Sequence, residues 1–201
     1  MYKDIFEATR RGSVDDVRFF LEQGVNVNVK CEEMGWTPLY YSLSKPKFDI
    51  LKYLIDKGAD VNTRDKYGKT PLHYVAKMGR NNVEVLKTLI ELGANVHVKD
   101  NAGWMPLHQT AGGDYDLDKM KCLVEHGANV NAKNDFGATP LHFAANNGYR
   151  TSINYVKYLI EQGADVNAKT TSNKTPLDAV FHEEKKIIIQ EAGGKYGEEL
   201  S

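Results

Sequence analysis

One stretch, Gly137-Ala138-Thr139-Pro140-Leu141-His142-Phe143-Ala144-Ala145 followed by Val156-Lys157-Tyr158-Leu159-Ile160-Glu161-Gln162-Gly163-Ala164-Asp165-Val166-Asn167, recurs with small changes down nearly the whole chain. A chain with such a period folds as an array of like units, each burying its apolar side against its neighbours, and three or more units are needed for stability. Within the unit, Thr139 supplies an acceptor for free N–H groups and Pro140 suits the first helical position, so a short helix starts there. Leu141, Ala144 and Ala145 share one side of it, the alanines admit a close neighbour, and Asn147-Gly148 ends it. A second helix follows, with Ile153, Val156, Leu159 and Ile160 as its apolar stripe and Gly163 at the left-handed stop. Ala164-Asp165-Val166-Asn167 then leads out into an extended turn.

Thr-Pro-Leu-His, the Ala-Ala pair, the Leu-Ile run and Gly-Ala-Asp-Val-Asn together resemble the ankyrin repeat, over about the whole chain. The resemblance implies an all-α repeat solenoid of stacked helix-turn-helix ankyrin repeats with protruding β-hairpin turns, forming a single domain over residues 1–201. The turn glycines Gly35, Gly68, Gly103 and Gly137 lie 33, 35 and 34 residues apart, with another 36 to Asn173. They place internal repeats at 32–64, 65–99, 100–133 and 134–169, between an N-terminal capping repeat at 1–31 and a C-terminal capping repeat with its tail at 170–201. The surplus residues are expected between the two helices, at Arg80-Asn81-Asn82, Gly113-Asp114-Tyr115 and Tyr149-Arg150-Thr151, where a longer surface connection costs little.

In the opening repeat Ile5, Phe6 and Ala8 mark the first helix and Val17, Phe20 and Leu21 the second, while Lys3, Glu7, Arg10 and Arg11 make a polar outward face. In the closing repeat Thr175-Pro176-Leu177 opens one helix and Ile187-Ile188-Ile189 a second; residues 193–201 carry few apolar side chains and are expected to fray. Three positions depart from the pattern. Met105 stands where Thr37, Thr70, Thr139 and Thr175 stand elsewhere, a lost cap that costs about 1 kcal/mol. Pro46 stiffens the inter-helix turn of the second repeat, and Asn173 replaces a turn glycine, tolerated because Asn enters the left-handed region readily.

Lys plus Arg total 26 and Asp plus Glu 27, a formal net charge of -1, so no global field draws in nucleic acid or an anionic membrane. The two cysteines, Cys31 and Cys122, have neither metal-ligand spacing nor the pattern of a disulfide framework, and read as reduced thiols. The N-terminus has no apolar signal region and no stretch is long enough to span a membrane. The expectation is a cytoplasmic monomer whose partner is another protein, with no cofactor.

His73, His108 and His142 recur once per repeat. Repeats stack roughly 10 Å apart, whereas a metal ion needs bonds of about 2 Å, so these histidines cannot share an ion and are assigned to hydrogen bonds between repeats. Tyr40 and Asp178 occupy the same position in other repeats, which a shared metal or catalytic role would not tolerate. No nucleophile elbow, papain-like cysteine motif or phosphate loop occurs; Gly112-Gly113 reads as a turn. The chain is therefore expected to be non-enzymatic, with no catalytic residues. Lys30, Arg64, Lys99, Lys133 and Lys169 form a basic column, which Asp65, Asp100 and Asp135 are expected to neutralise.

In the resembling family the turn sites around the glycine and the end of the first helix vary and contact partners. Here they hold Met34, Trp36, Tyr67, Lys69, Lys77, Met78, Trp104 and Phe136, with Tyr41, Tyr74 and Phe143 one helical step inward. Large exposed aromatic and Met side chains are what interface anchors are made of. The expected function is a non-catalytic interaction module, an adaptor, inhibitor or effector, binding a protein through its concave groove. Trp36 and Trp104, about 20 Å apart at the spacing of packed helices, are expected to be its anchors. Two alternatives are a docking arm of an enzyme and a substrate of an asparaginyl hydroxylase, since Asn62, Asn131 and Asn167 each lie eight residues after a leucine.

Overall fold

Every internal Thr-Pro or Met-Pro pair begins a helix at its proline, because the ring presets a helical φ where no N–H is required. In the computed structural model, which describes residues 2–43, 48–79, 82–113 and 117–200, the first helices of the successive repeats are α1 (Ile5–Arg11), α3 (Pro38–Leu43), α5 (Pro71–Lys77), α7 (Pro106–Ala111) and α9 (Pro140–Asn146). The second helices are α2 (Val14–Glu22), α4 (Phe48–Asp56), α6 (Val83–Glu91), α8 (Leu117–Glu125), α10 (Ile153–Glu161) and α11 (Glu183–Glu191). The outcome is the expected all-α repeat architecture, with no strand among the described residues.

The chain divides into two units, and each is described by itself. Unit 1 comprises residues 1–75 and 84–95, and unit 2 residues 76–83 and 96–201. In unit 1, α1 packs on α2 and α3, and α4 packs on α3 and α2; Leu39, Leu51, Leu54, Leu72, Leu86 and Leu89 are fully enclosed. In unit 2, α7 packs on α8 and α9, and α10 on α9 and α11, around Leu107, Met120, Leu123, Leu141, Val156 and Leu159.

The hairpin turns are present but too short to count as strands. One backbone bond closes each, from Asp65 N to Lys69 O (2.9 Å), Asp100 N to Trp104 O (2.8 Å), Asn134 N to Ala138 O (3.0 Å) and Thr170 N to Lys174 O (2.9 Å). The first side chain of each turn accepts from inside it: Asp65 Oδ1 takes the N–H groups of Tyr67 and Lys69, Asp100 Oδ1 those of Ala102 and Trp104, and Asn134 Oδ1 those of Phe136 and Ala138. Gly103 shows why the next residue but one from the end is so small. At φ +75, a Cβ there would lie 2.3 Å from Asp135 Oδ1 and 2.6 Å from Asp135 N.

Behind the turns, carboxamides tie loop to loop. Asn28 Nδ2 donates to Gly58 O and Asn28 Oδ1 accepts from Asp60 N; Asn62 binds Gly93 O and Asn95 N in the same way within unit 1. In unit 2, Asn131 binds Gly163 O and Asp165 N, and Asn167 binds Gly193 O and Lys195 N.

Four expectations need correction. The threonine before each proline does not cap with its hydroxyl: Thr70 Oγ1 and Thr139 Oγ1 pair with Nδ1 of His73 (3.0 Å) and His142 (2.9 Å), the same atoms that accept the threonine N–H groups. Met105 therefore keeps the backbone half of this arrangement, its N–H lying 3.0 Å from His108 Nδ1, and loses only the hydroxyl bond. Second, the first helix of the closing repeat shrinks to a 3₁₀ turn, Leu177–Ala179, because Val180 turns extended and Phe181 N reaches Ala145 O. Third, α11 starts at Glu183, so Ile187, Ile188 and Ile189 lie inside it; Ile189 is enclosed while Ile187 is exposed. Fourth, residues 193–200 do not fray. They form one more loop of the array, with Gly197 N bonded to Asp178 Oδ2 (2.8 Å) and Lys195 O accepting from Thr175 Oγ1 (2.7 Å). The turn at Tyr149 to Thr151 does take up extra residues, in the 3₁₀ turn Arg150–Ser152. Pro46, Arg80-Asn81 and Asp114-Tyr115 lie outside the described residues.

The threonine–histidine pairing explains an orphan. In repeat two the histidine position holds Tyr40, whose hydroxyl reaches Thr63 O and Lys69 O (both 2.7 Å), much as His108 Nε2 reaches Ala132 O and Ala138 O. A phenol ring has only a C–H carbon where Nδ1 would be, so the enclosed Thr37 Oγ1 is left without a partner. Thr37→Val, which keeps the shape and removes the orphan, should raise unfolding free energy by about 1 kcal/mol. Chemical denaturation checks this, and a loss of stability would mean that the hydroxyl has a partner.

Candidate functional site

The residues expected to meet a partner fall into two classes. At the hairpin tips Tyr67 is 56 % and Phe136 60 % exposed, on turns held from within by Asp65 and Asn134. Lys77 is exposed as well, and Met34, Lys69 and Met78 are half-buried.

The second class lies deeper. Trp36 stacks on Tyr40 (5.8 Å between centroids, 5° between planes) and meets Tyr41 and Tyr74 edge-on at 5.5 and 5.3 Å. Asp65 sits beneath them, its Oδ2 accepting from the Tyr74 hydroxyl (2.5 Å) and, at 3.4 Å, from the Trp36 indole N–H. Burial first, then the Asp65 carboxylate, pushes the Tyr74 and Tyr40 hydroxyls well above the ordinary phenol range, so both stay protonated donors. In unit 2 the counterpart is Trp104 against Phe143, with centroids 4.3 Å apart, and His108 beyond. Both tryptophans are half-buried packing residues as well as surface ones. The expectation that they leave the hairpin as free anchors is revised accordingly: each rests on the next repeat, because its indole has an aromatic face within reach there.

The histidines join repeats. His108 is enclosed and burial pushes its imidazole down to about 4, against the raising effect of the Ala138, Ala132 and Met105 backbone bonds; His142 is shifted down by burial too, with Nε2 3.1 Å from Lys174 O. Neutral rings suit this role, since each must carry an acceptor nitrogen for a backbone N–H. Among the described residues no group of three or more His, Cys, Asp or Glu could hold a metal ion.

The basic column behaves differently from its expected neutralisation by aspartates. Asp65 and Asp100 are buried and engaged by their own turns. The lysines reach carbonyls of the next repeat instead: Lys30 Nζ binds Arg64 O (2.8 Å), Lys133 Nζ binds Lys169 O (3.2 Å), and Lys169 Nζ binds Leu200 O.

Two features went unread in the sequence. Lys119 and Lys185 are fully enclosed and cap the ends of first helices: Lys119 Nζ donates to Met78 O (2.5 Å) and Gly79 O (3.1 Å), and Lys185 Nζ to Ala144 O (2.8 Å), Ala145 O (3.5 Å) and Asn147 O. Asn147 does the same for α7, its Nδ2 binding Ala111 O and Gly113 O.

The other feature is Cys31, which opens the second-repeat turn where Asp65, Asp100, Asn134 and Thr170 open the others. Burial raises its thiol, but the Tyr41 hydroxyl and the N–H groups of Met34, Trp36 and Gly35 act together the other way, and the net shift is downward. Alkylation of Cys31, followed peptide by peptide, should have its pH midpoint below that of an ordinary thiol, and Tyr41→Phe should move the midpoint up. A midpoint at or above the ordinary value would show that the turn does not stabilise the thiolate. Cys122 is buried and serves as the slow internal reference.

Among the described residues no helix is long and apolar enough to cross a membrane. Comparison with known proteins gives a consistent picture. The chain is 40% identical over 75 residues to the 2-5A-dependent ribonuclease of Homo sapiens, covering 37% of this chain and 10% of that protein. It is 36% identical over 75 residues to the ankyrin repeat-containing protein P1E11.10 of Schizosaccharomyces pombe, 37% of this chain and 36% of the relative. It is 41% identical over 61 residues to the ankyrin repeat protein OPG189 of Variola virus, 30% of this chain and 11% of the relative. The matched stretch thus spans about a tenth to a third of each relative's length. The family model for ankyrin repeats (3 copies) matches residues 5–100 and 80–170, and the chain belongs to the ankyrin repeat family, whose members are generally protein-interaction modules.

Proposed function

We propose that this chain is a non-catalytic, cytoplasmic, monomeric interaction module that binds another protein through its hairpin tips and first-helix faces, as adaptor, inhibitor or effector. The observation that carries the reading is the exposure of Tyr67 and Phe136 on turns held from within by Asp65 and Asn134. A large aromatic side chain on a pre-ordered turn loses little freedom when a partner covers it, which is what makes an anchor. Trp36, Tyr41 and Tyr74 in unit 1, Trp104 in unit 2, and Met34, Lys69, Lys77 and Met78 complete the contact set. The near-neutral charge supports a protein partner over nucleic acid or a membrane.

The test begins with affinity capture from the native source and proceeds to calorimetry with the purified partner. Tyr67→Ala or Phe136→Ala should weaken binding by about 2 kcal/mol, roughly 30-fold, with unchanged melting. Unchanged affinity in both variants would remove the tips from the interface. The tryptophans are poorer probes, because Trp36→Ala would also uncover Tyr40 and Tyr74. Modification by an asparaginyl hydroxylase has less support: Asn62, Asn131 and Asn167 are each bonded at both ends of the carboxamide to the following loop, a structural role that accounts for them.

A further inference from the structure

Beside the aromatic cluster of unit 1 lies an open cavity of about 200 Å³, lined by Lys3, Asp4, Phe6, Glu7, Arg10 and Tyr41. That volume holds one large side chain, not a helix. Its apolar wall is the Phe6–Tyr41 ring pair, with centroids 5.4 Å apart, and Tyr41 is backed by Trp36.

The polar lining is two cations and two carboxylates, but the four are not equally available. Asp4 Oδ1 accepts the Glu7 N–H (2.8 Å) and so caps α1. Glu7 accepts from Lys3 N (3.1 Å) with Oε2 and from the Arg11 guanidinium (3.1 Å) with Oε1. Both acids are thus occupied within the first repeat. Arg10 is exposed and enters no ion pair among the described residues, while Lys3 Nζ stands 4.0 Å from Asp4 with its side chain 83% exposed, a contact too loose to neutralise it. With Arg11 counted, three cations, Lys3, Arg10 and Arg11, stand against the two carboxylates Asp4 and Glu7 around the cavity, and Arg10 is the one with no carboxylate partner among the described residues, over an aromatic floor.

We propose that this cavity is a subsite for a carboxylate side chain, Glu or Asp, carried on an acidic partner segment next to an apolar residue. Arg10 receives the carboxylate, with Lys3 at the rim, and the neighbouring apolar group lies on Phe6 and Tyr41. At about 200 Å³ the cavity takes one side chain, so only one acidic side chain enters. This deepens the protein-binding reading and rests on it, but it names residues that the tips do not include.

Trp36 reports on the site through its edge contact with Tyr41. In a Trp104→Phe background it is the single tryptophan, and its emission can be titrated at pH 7 with the blocked hexapeptide Gly-Leu-Glu-Phe-Glu-Gly and with the same peptide carrying Gln for both Glu. The acidic peptide should give a saturable change and bind at least 10-fold more tightly than the neutral one. Arg10→Gln should cut its affinity about 10-fold, as should 0.5 M salt, and Tyr67→Ala should leave it unchanged. Equal binding of the two peptides, binding of neither, or full affinity in Arg10→Gln would overturn the proposal. Loss of peptide discrimination together with continued capture of the native partner would leave the tip-based reading standing; the reverse result would separate them the other way.

Discussion

Ending the chain after Ala192 is expected to destabilise the protein by roughly 3 to 6 kcal/mol, counting about 0.5–1.5 kcal/mol for each hydrogen bond lost. Residues 193–200 supply Gly193 O and Lys195 N to Asn167, Lys195 O to Thr175, Gly197 N to Asp178 and Leu200 O to Lys169. The loss is not confined to those bonds. Asp178 Oδ2 also holds Thr175 N (2.8 Å) and Thr175 Oγ1 (3.0 Å), so the 3₁₀ turn that replaces the first helix of the closing repeat would be held from one side only. Burial raises the Asp178 carboxyl, but the Thr175 and Gly197 bonds outweigh it and bring the group below the usual range, which marks it as a charge stabilised by that network. Urea denaturation of the truncated and full chains is the measurement. Because nearest-neighbour contacts sum along a repeat array, the loss should appear as early melting of the last repeat, with the rest following. Identical midpoints would mean that these bonds form equally well with water.

Much of this architecture was legible before any coordinates. Thr-Pro marks four helix or turn starts and Met105-Pro106 a fifth, the stop glycines mark the ends, and the 33- to 36-residue spacing gives the unit. What period alone misses is how one residue type stands in for another at a fixed place. Cys31 reads as an unremarkable thiol until the second-repeat turn is seen to be one residue longer, which puts it in register with Asp65 and Asp100. The tail looks polar and loose because its work is done by backbone groups, which leave no trace in side-chain composition. Trp36 and Trp104 were placed correctly on the turns, but a sequence cannot say whether an indole faces solvent or the ring next door. Lys119 and Lys185 were hidden for a related reason. They lie four residues before Leu123 and Ile189, where Ile50, Val85 and Tyr155 precede Leu54, Leu89 and Leu159. An alignment of the repeats thus gives a buried register to two residues that composition assigns to the surface.

Lys185→Met is the sharper test of that register. Methionine has nearly the length of the lysine stem and suits an enclosed site, so packing is kept and the ammonium alone is lost. At the end of α9, where the helix leaves its last C=O groups unsatisfied, Ala144 O then loses its lysine donor, while Ala145 O keeps the N–H of Phe181 (3.4 Å) and Asn147 O the Ser152 hydroxyl (3.3 Å). One unpaired buried acceptor costs about 1–3 kcal/mol, and a loss of roughly that size is expected. Replacing a buried charge by an apolar group removes a desolvation cost as well, and that term has a pH signature. Burial pushes the Lys185 ammonium down to about 8, below its value in the unfolded chain. The unfolded state therefore binds more protons between about pH 8 and the ordinary lysine range near 10.4, and the lysine protein gains stability as pH rises through that window. A neutral amine still donates to two carbonyls, so the capping survives deprotonation. The difference between wild type and Lys185→Met, followed by denaturation from pH 7 to 10, should accordingly widen with pH. A flat difference would show that the three carbonyls hold the ammonium charged throughout, and a methionine variant as stable as wild type at every pH would refute the capping role.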